Sequence, residues 1–215
     1  MKQILSNQDR SRLEARVAET EKRTQTQIVL TVIRRCDSYA ELPWIAFALG
    51  VSIAGLLLLL LNWWLVDWYP HVTALITVVG VLACGALLSL LTVLIPRFAK
   101  CFLSNHRAEM EVQQYAKSLF LDRELFVTQK RTGILLLVSL FERRVVILPD
   151  KGLAERLKED DTRNMIAAMT PLLKRKQISQ AFDAGLDQLS DILTTTAPDT
   201  GSDELPNEII EEDGV

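Results

Sequence analysis

The stretch LPWIAFALGVSIAGLLLLLLNWWLVDWYPHVTALITVVGVLACGALLSLLTVLI, Leu42–Ile95, decides how the rest of the chain is organised. It consists of two long apolar runs separated by a polar break around Asp67–His71. As a helix, Trp44–Val66 is about 34 Å long at ~1.5 Å per residue, and Val72–Ile95 is of similar length. Each exceeds the ~20 residues that cross a hydrocarbon core. The charge-bearing side chains of the stretch, Asp67 and His71, both fall in the break. Burying both runs in a soluble core would need a larger domain than the flanking chain supplies. They therefore read as a transmembrane helical hairpin over residues 42–96.

The flanks give an orientation. Arg34 and Arg35 precede the first run, Arg97, Lys100 and Arg107 follow the second, and no Lys or Arg lies between. The positive-inside rule places both flanks on the same side. The expectation is a multi-pass protein of the inner (cytoplasmic) membrane with both termini and the soluble domain cytoplasmic. Trp63, Trp64, Trp68 and Tyr69 stand where an outer aromatic belt would sit and Trp44 where an inner one would. Membrane lipid is thus the first expected partner. The first apolar run begins about 40 residues in, so no signal peptide is expected.

The 215 residues leave enough outside the hairpin for one soluble domain. The net charge of -3 conceals an asymmetry. Asp199, Asp203, Glu204, Glu208, Glu211, Glu212 and Asp213 crowd a C-terminal segment with no basic residue. The remainder is net positive, which suits a domain beside an anionic leaflet; no nucleic-acid partner is expected. Cys36, Cys84 and Cys101 form no disulfide framework and read as free thiols in a reducing compartment.

Outward from the hairpin, Ser6-Asn7-Gln8-Asp9 reads as a capping box that starts a helix ending near Arg23. Gln27–Ile33 is short, β-branched and almost continuously apolar, the pattern of a strand covered on both faces. Beyond the hairpin a helix is expected over Asn105–Asp122, then strands at Gly133–Leu140 and Arg144–Leu148. Their short connection, Phe141-Glu142-Arg143, implies an antiparallel pair. Gly152 is expected at a positive φ. Thr162 is placed as the cap of a helix running to Lys174. A last helix carries Ile178, Phe182, Leu186, Leu189 and Leu193 at core-facing spacing. The Thr-, Pro- and acid-rich residues from 194 onward read as a disordered tail. The strand before the hairpin must pair with strands after it. One soluble domain therefore spans 1–41 and 97–193, with the hairpin 42–96 inserted and the acidic tail at 194–215.

The run RTGILLLVSLFERRVVILPDKGL, from Arg131, closely resembles the central hairpin of the TPM domain family. There a T-G opens an apolar strand, an E-R turn follows and a D-x-G closes the next strand. Ser38-Tyr39-Ala40-Glu41, Glu19…Thr24…Gln27-Ile28 and Ala116…Phe120 are also similar to that family. The resemblance covers Ser6–Ile33 and Asn105–Leu193 in outline. It implies an α/β (α+β-like) fold with a small mixed β-sheet flanked by helices. It further implies two functional expectations: phosphatase activity, attributed to a plant member, and a LemA-type membrane partner for bacterial members. A calcium site is also implied, through members with a fuller acidic cluster.

The residues themselves carry no D-x-D-x-T, G-x4-G-K-S/T or G-x-S-x-G hydrolase signature. Asp150, which matches the family's D-x-G, is the weak catalytic candidate, and Asp150 with Asp37 the weak metal candidate. Asp37 follows the first strand and is expected at the same sheet edge, where ligands of open α/β sheets bind. Each also reads as a turn residue, and Lys151 puts a cation where a ligand would stand. Glu142-Arg143-Arg144 reads as an exposed turn. His71 and His106 fall on opposite membrane sides and form no site, and no cofactor-binding motif is present. Two spans without internal ionisable residues offer no transport pathway unless copies oligomerise. The favoured reading is a membrane-anchored interaction or scaffold module, with a membrane-bound, metal-dependent phosphatase as the alternative.

Overall fold

The computed structural model describes residues 4–64, 72–128, 130–154, 156–194 and 209–214. They form two compact units, one from residues 1–37 with 108–215 and one from 38–107.

The first unit begins with α1, Asn7–Thr24. The Ser6 hydroxyl accepts from the Asp9 N–H at 3.1 Å and donates to Asp9 Oδ2 at 2.6 Å, so Asp9 answers the hydroxyl of the cap. The helix closes on Gln25 at φ 54. β1, Gln27–Ile33, follows with all seven residues buried.

The second unit holds α2, Glu41–Trp64, and α3, Val72–Leu94. Each contains 21 residues of mean hydropathy 2.5, long and apolar enough to cross a membrane. Their outward faces are bare: Leu56, Leu59, Trp63, Leu75 and Leu94 are exposed. The helices pack closely at two glycines. A Cβ on Gly50 would stand 2.9 Å from Gly85 Cα, and one on Gly85 would stand 2.7 Å from Val51 Cγ2. Small residues let apolar helices approach at backbone distance, the usual packing device where no hydrophobic force separates helix from lipid. The Asp67–His71 break, with Trp68 and Tyr69, lies outside the described residues. Pro96 opens the short α4, Pro96–Ala99.

α5, Asn105–Asp122, leads back to the first unit. β2, Gly133–Ser139, and β3, Arg144–Pro149, come next, followed by α6, Lys151–Ala154, α7, Glu159–Lys174, and α8, Ile178–Thr194. The sheet order is β3-β2-β1-β4. β1 runs parallel to β2 in register Gln27↔Gly133 through Ile33↔Ser139, and β2 is antiparallel to β3. The alternate residues Ile28, Leu30, Val32, Ile134, Leu136 and Val138 pack with Leu13, Val17, Met165, Met169, Phe182 and Leu186, from α1, α7 and α8. Val29, Ile33, Leu135 and Leu137 point the other way, onto Val112, Ala116, Leu119 and Phe120 of α5. Both faces are therefore dry, which is why the strands read as unbroken apolar runs.

Four expectations are corrected. The C-terminal segment read as a disordered tail contains β4, Ile210–Glu212, which pairs parallel with β1 from Thr31↔Ile210 to Ile33↔Glu212; residues 195–208 lie outside the description. Three carboxylates can enter the fold there because arginines elsewhere in the chain meet each of them. α7 starts at Glu159 rather than after Thr162. Asp161 Oδ2 accepts from the Lys158 N–H at 3.0 Å, and Glu159, Asp160 and Asp161 fill the first turn, where the helix dipole favours negative charge. Gly152 sits in α6 and is not among the positive-φ glycines of the described residues. Its need is space: a Cβ would lie 2.3 Å from the Lys130 carbonyl oxygen and 2.6 Å from that of Arg131. Glu142, read as an exposed turn charge, is 6% exposed.

Candidate functional site

Strand directions separate the two acidic candidates. β1 and β2 end together at Ile33 and Ser139, and Asp37 follows that end. β3 runs back, with Pro149 opposite Ile134, so Asp150 stands at the start of β1 and β2. Seven residues of strand, roughly 20 Å, lie between the two ends of the sheet. The expectation that Asp37 and Asp150 share an edge is wrong for this topological reason, and the pair does not fit a shared calcium site. Among the described residues no group of three or more His, Cys, Asp or Glu side chains is arranged to hold a metal ion.

At the Asp150 end stands a latch. The Asp150 carboxylate accepts from Arg131 Nε at 2.7 Å, Arg131 Nη2 at 3.0 Å and the Lys151 N–H at 2.7 Å. Its own N–H donates to the Gly133 carbonyl at 2.8 Å, and the Gly152 N–H donates to the Arg131 carbonyl at 2.9 Å. The D-x-G spacing thus has a mechanical meaning. Asp150 holds the Arg131 side chain while Gly152, lacking a Cβ, lies against the Arg131 main chain. The cation at this carboxylate comes from Arg131; Lys151 supplies its backbone. Asp150→Asn keeps an acceptor but loses the charge of the fork. It should cost on the order of 1–3 kcal/mol in a urea melt, and Arg131→Ala should cost less than that on top of Asp150→Asn, because the two act as one unit.

The other end of the sheet, where β1 and β2 finish, gathers the groups that sequence reading passed over. Glu142 Oε1 accepts from the Cys36 N–H at 3.0 Å, and Glu142 Oε2 accepts from the Ser139 hydroxyl. The Arg35 guanidinium lies 5.0 Å from the centre of the Phe141 ring. The Tyr115 hydroxyl donates to Glu212 Oε2, with Arg123 3.5 Å from Glu212 Oε1. Burial, then the neighbouring Glu142 carboxylate, pushes the Cys36 thiol up to about 12. Burial and the bond to Glu212 likewise hold the Tyr115 phenol above its ordinary range. The single signal in the sequence for Glu142 was its place beside Ser139 at the tip of the strand pair; nothing in the residue string announced its burial.

The chemistry available here is limited by how the donors point. A buried serine hydrogen-bonded to a carboxylate has the form of a nucleophile and its base. Yet the same carboxylate also takes the Cys36 N–H. The donors that would stabilise charge on a reacting oxygen are turned onto Glu142 instead. Cys36 is a neutral thiol at physiological pH, so it is no ready nucleophile.

A pH prediction follows from Cys36. The unfolded thiol ionises near its ordinary value of 9.0, the folded one only near 12. Between those values the folded chain holds the extra proton, so stability present below pH 9 is lost as pH rises towards 12. Tyr115 adds loss in the same direction. Thermal melts of wild type and Cys36→Ser should therefore converge above pH 9, and Glu142→Gln should make Cys36 react faster with an alkylating reagent in a Cys84→Ser, Cys101→Ser background.

The comparisons with known proteins now have a geometry to meet. Residues 91–192 match the model of the TPM domain. No curated protein matches the sequence. Among solved structures, the chain is similar to the NMR structure of BA42 protein from the psychrophilic bacterium Bizionia argentinensis. The two are 14% identical at a TM-score of 0.60, over 98% of this chain and 97% of that one. The family match carries α5 through most of α8 and includes the Arg131–Gly152 latch, while the structural likeness carries the four-stranded mixed sheet with its helices. The match over residues 91–192 thus supports membership of the TPM domain family, and the structural likeness shows the fold.

Proposed function

We propose that this chain is a membrane-anchored TPM domain that works as an interaction module at the cytoplasmic face of the inner membrane. One observation carries the reading: two 21-residue apolar spans, their outward faces bare, are spliced between β1 and α5 rather than appended at a terminus. Exposed leucine and tryptophan over such lengths are costly in water and favourable in lipid. An insertion ties the domain to the membrane at two points and so keeps it within reach of a neighbouring membrane protein. The partner expected from the family resemblance is a LemA-type membrane protein.

Orientation rests on Arg34, Arg35, Arg97, Lys100 and Arg107 flanking the spans. In a chain with Cys36, Cys84 and Cys101 replaced by serine, an impermeant thiol reagent outside intact cells should label Asp67→Cys and spare Gly201→Cys. Labelling of the latter reverses the assignment. The function is tested by crosslinking in membranes followed by capture, beside a phosphomonoesterase assay with and without calcium on the purified protein. A specific membrane-protein adduct supports the module. Robust hydrolysis abolished by Asp150→Asn, with the melt of that variant lowered only as expected above, would replace it with the phosphatase reading.

A further inference from the structure

The far side of β1 is completed by the chain's own C-terminus in a way that resembles a receptor holding a peptide. β4 pairs with β1 over three residues, against seven between β1 and β2. The Arg34 N–H donates to the Glu212 carbonyl at 3.1 Å, continuing the ladder by one bond. Each acidic side chain of the segment meets groups from a different part of the unit. Glu211 takes Arg10 at 3.1 Å and the Ile4 N–H at 3.0 Å. Glu212 takes Tyr115 and Arg123, and Asp213 takes Arg34 at 3.0 Å. Ile209 and Ile210 enter the two opposite cores. The first half of the same strand edge is closed by α1, whose Glu21 Oε1 accepts from the Ile28 N–H at 2.7 Å. The groove is therefore short, apolar at its floor and walled by arginine.

We infer that this edge of β1 is a docking groove for an acidic extended segment of the form Ile-Ile-Glu-Glu-Asp. The chain's own residues 209–214 occupy it in cis and compete with such a segment supplied by a partner. Strand addition supplies main-chain hydrogen bonds for affinity, and the alternating apolar and acidic positions supply specificity. The resident is exchangeable because its ladder is only three residues long and it is held by ion pairs that are partly open to solvent, which are individually weak and screened by salt. The inference deepens the interaction-module reading by naming the partner's chemistry and the surface it meets.

The test uses the chain in detergent micelles with residues 209–215 removed, and a fluorescent peptide of residues 208–215. Saturable binding is expected. It should be at least tenfold weaker to the intact chain, whose groove is filled, and lost for a peptide with Glu211, Glu212 and Asp213 replaced by lysine. Binding should weaken about tenfold between low and high salt. A truncated chain that melts cooperatively yet does not bind, or an intact chain that binds equally well, overturns the inference. Should the truncated chain fail to fold, a protease site placed between residues 196 and 206 and cut after folding leaves the segment held only by its contacts. Excess unlabelled peptide should then release it, and retention after prolonged competition overturns the inference as well. Either negative result leaves the crosslinking test of the module untouched.

Discussion

A chain lacking residues 1–35 will not fold its soluble unit, although the deletion spares the whole segment matched by the TPM model. The deletion takes α1 and β1, and β1 is the strand between β2 and β4. Ile28, Val29, Leu30, Val32 and Ile33 are all buried there. Each contributes roughly 1.5–3 kcal/mol of transfer free energy, against about 5–15 kcal/mol for the stability of a whole domain. The loss also strips one edge of β2 and leaves β4 with no strand to pair with. Limited proteolysis of the purified truncation should show rapid digestion of 105–194, and a protease-resistant, cooperatively melting fragment starting at Asn105 would contradict this.

The second large effect is expected at Gly152. A methyl group there meets two main-chain carbonyls, those of Lys130 and Arg131, at 2.3 and 2.6 Å. Neither is the far end of a flexible side chain, and Arg131 is also gripped through its guanidinium by Asp150. Gly152→Ala should therefore cost about 3 kcal/mol, the upper end for overpacking, and Gly152→Val should prevent accumulation of folded protein. Gly55→Ala is the control, since nothing lies within 4 Å of a Cβ there; its melt should stay within about 1 kcal/mol of wild type. A tolerated Gly152→Ala would mean that the backbone at Lys130 and Arg131 yields readily, and the latch would lose its mechanical meaning.

These two positions show where sequence reading succeeds and where it stops. β1, α5 and β2 were legible because their order is local. A β-branched run or a three-to-four spacing identifies a strand or helix without reference to anything distant, and unbroken apolarity in β1 and β2 already says that both faces are covered. The antiparallel pairing of β3 with β2 followed from a short connection. What stayed hidden was decided by partners far away in the chain. Ile-Ile-Glu-Glu-Asp reads as a solvated tail until Arg10, Arg34 and Arg123 are known to surround it. Glu142 reads as a turn charge until Cys36, over a hundred positions earlier, is found donating to it. Asp37 and Asp150 looked like neighbours because both end strands; that β3 runs against β1 sends them to opposite ends of the sheet.

The insertion between β1 and α5 has a consequence for the order of events during synthesis. β1 leaves the ribosome long before its register partner, with Gln27 waiting for Gly133 and Thr31 for Ile210. At roughly 5–20 residues per second, the first wait lasts on the order of 5–20 s. For that interval a strand that the folded domain buries along its whole length has both edges open, the condition in which nascent strands pair wrongly. In the proposed membrane-anchored arrangement the hairpin enters the bilayer meanwhile, which tethers the waiting strand and keeps neighbouring nascent copies from drifting together. Completion comes only once residues 209–212 have been translated. Until Ile209 and Ile210 emerge, both cores have a gap at the β1 edge, so any quality control that senses exposed strands has a window that closes when β4 pairs.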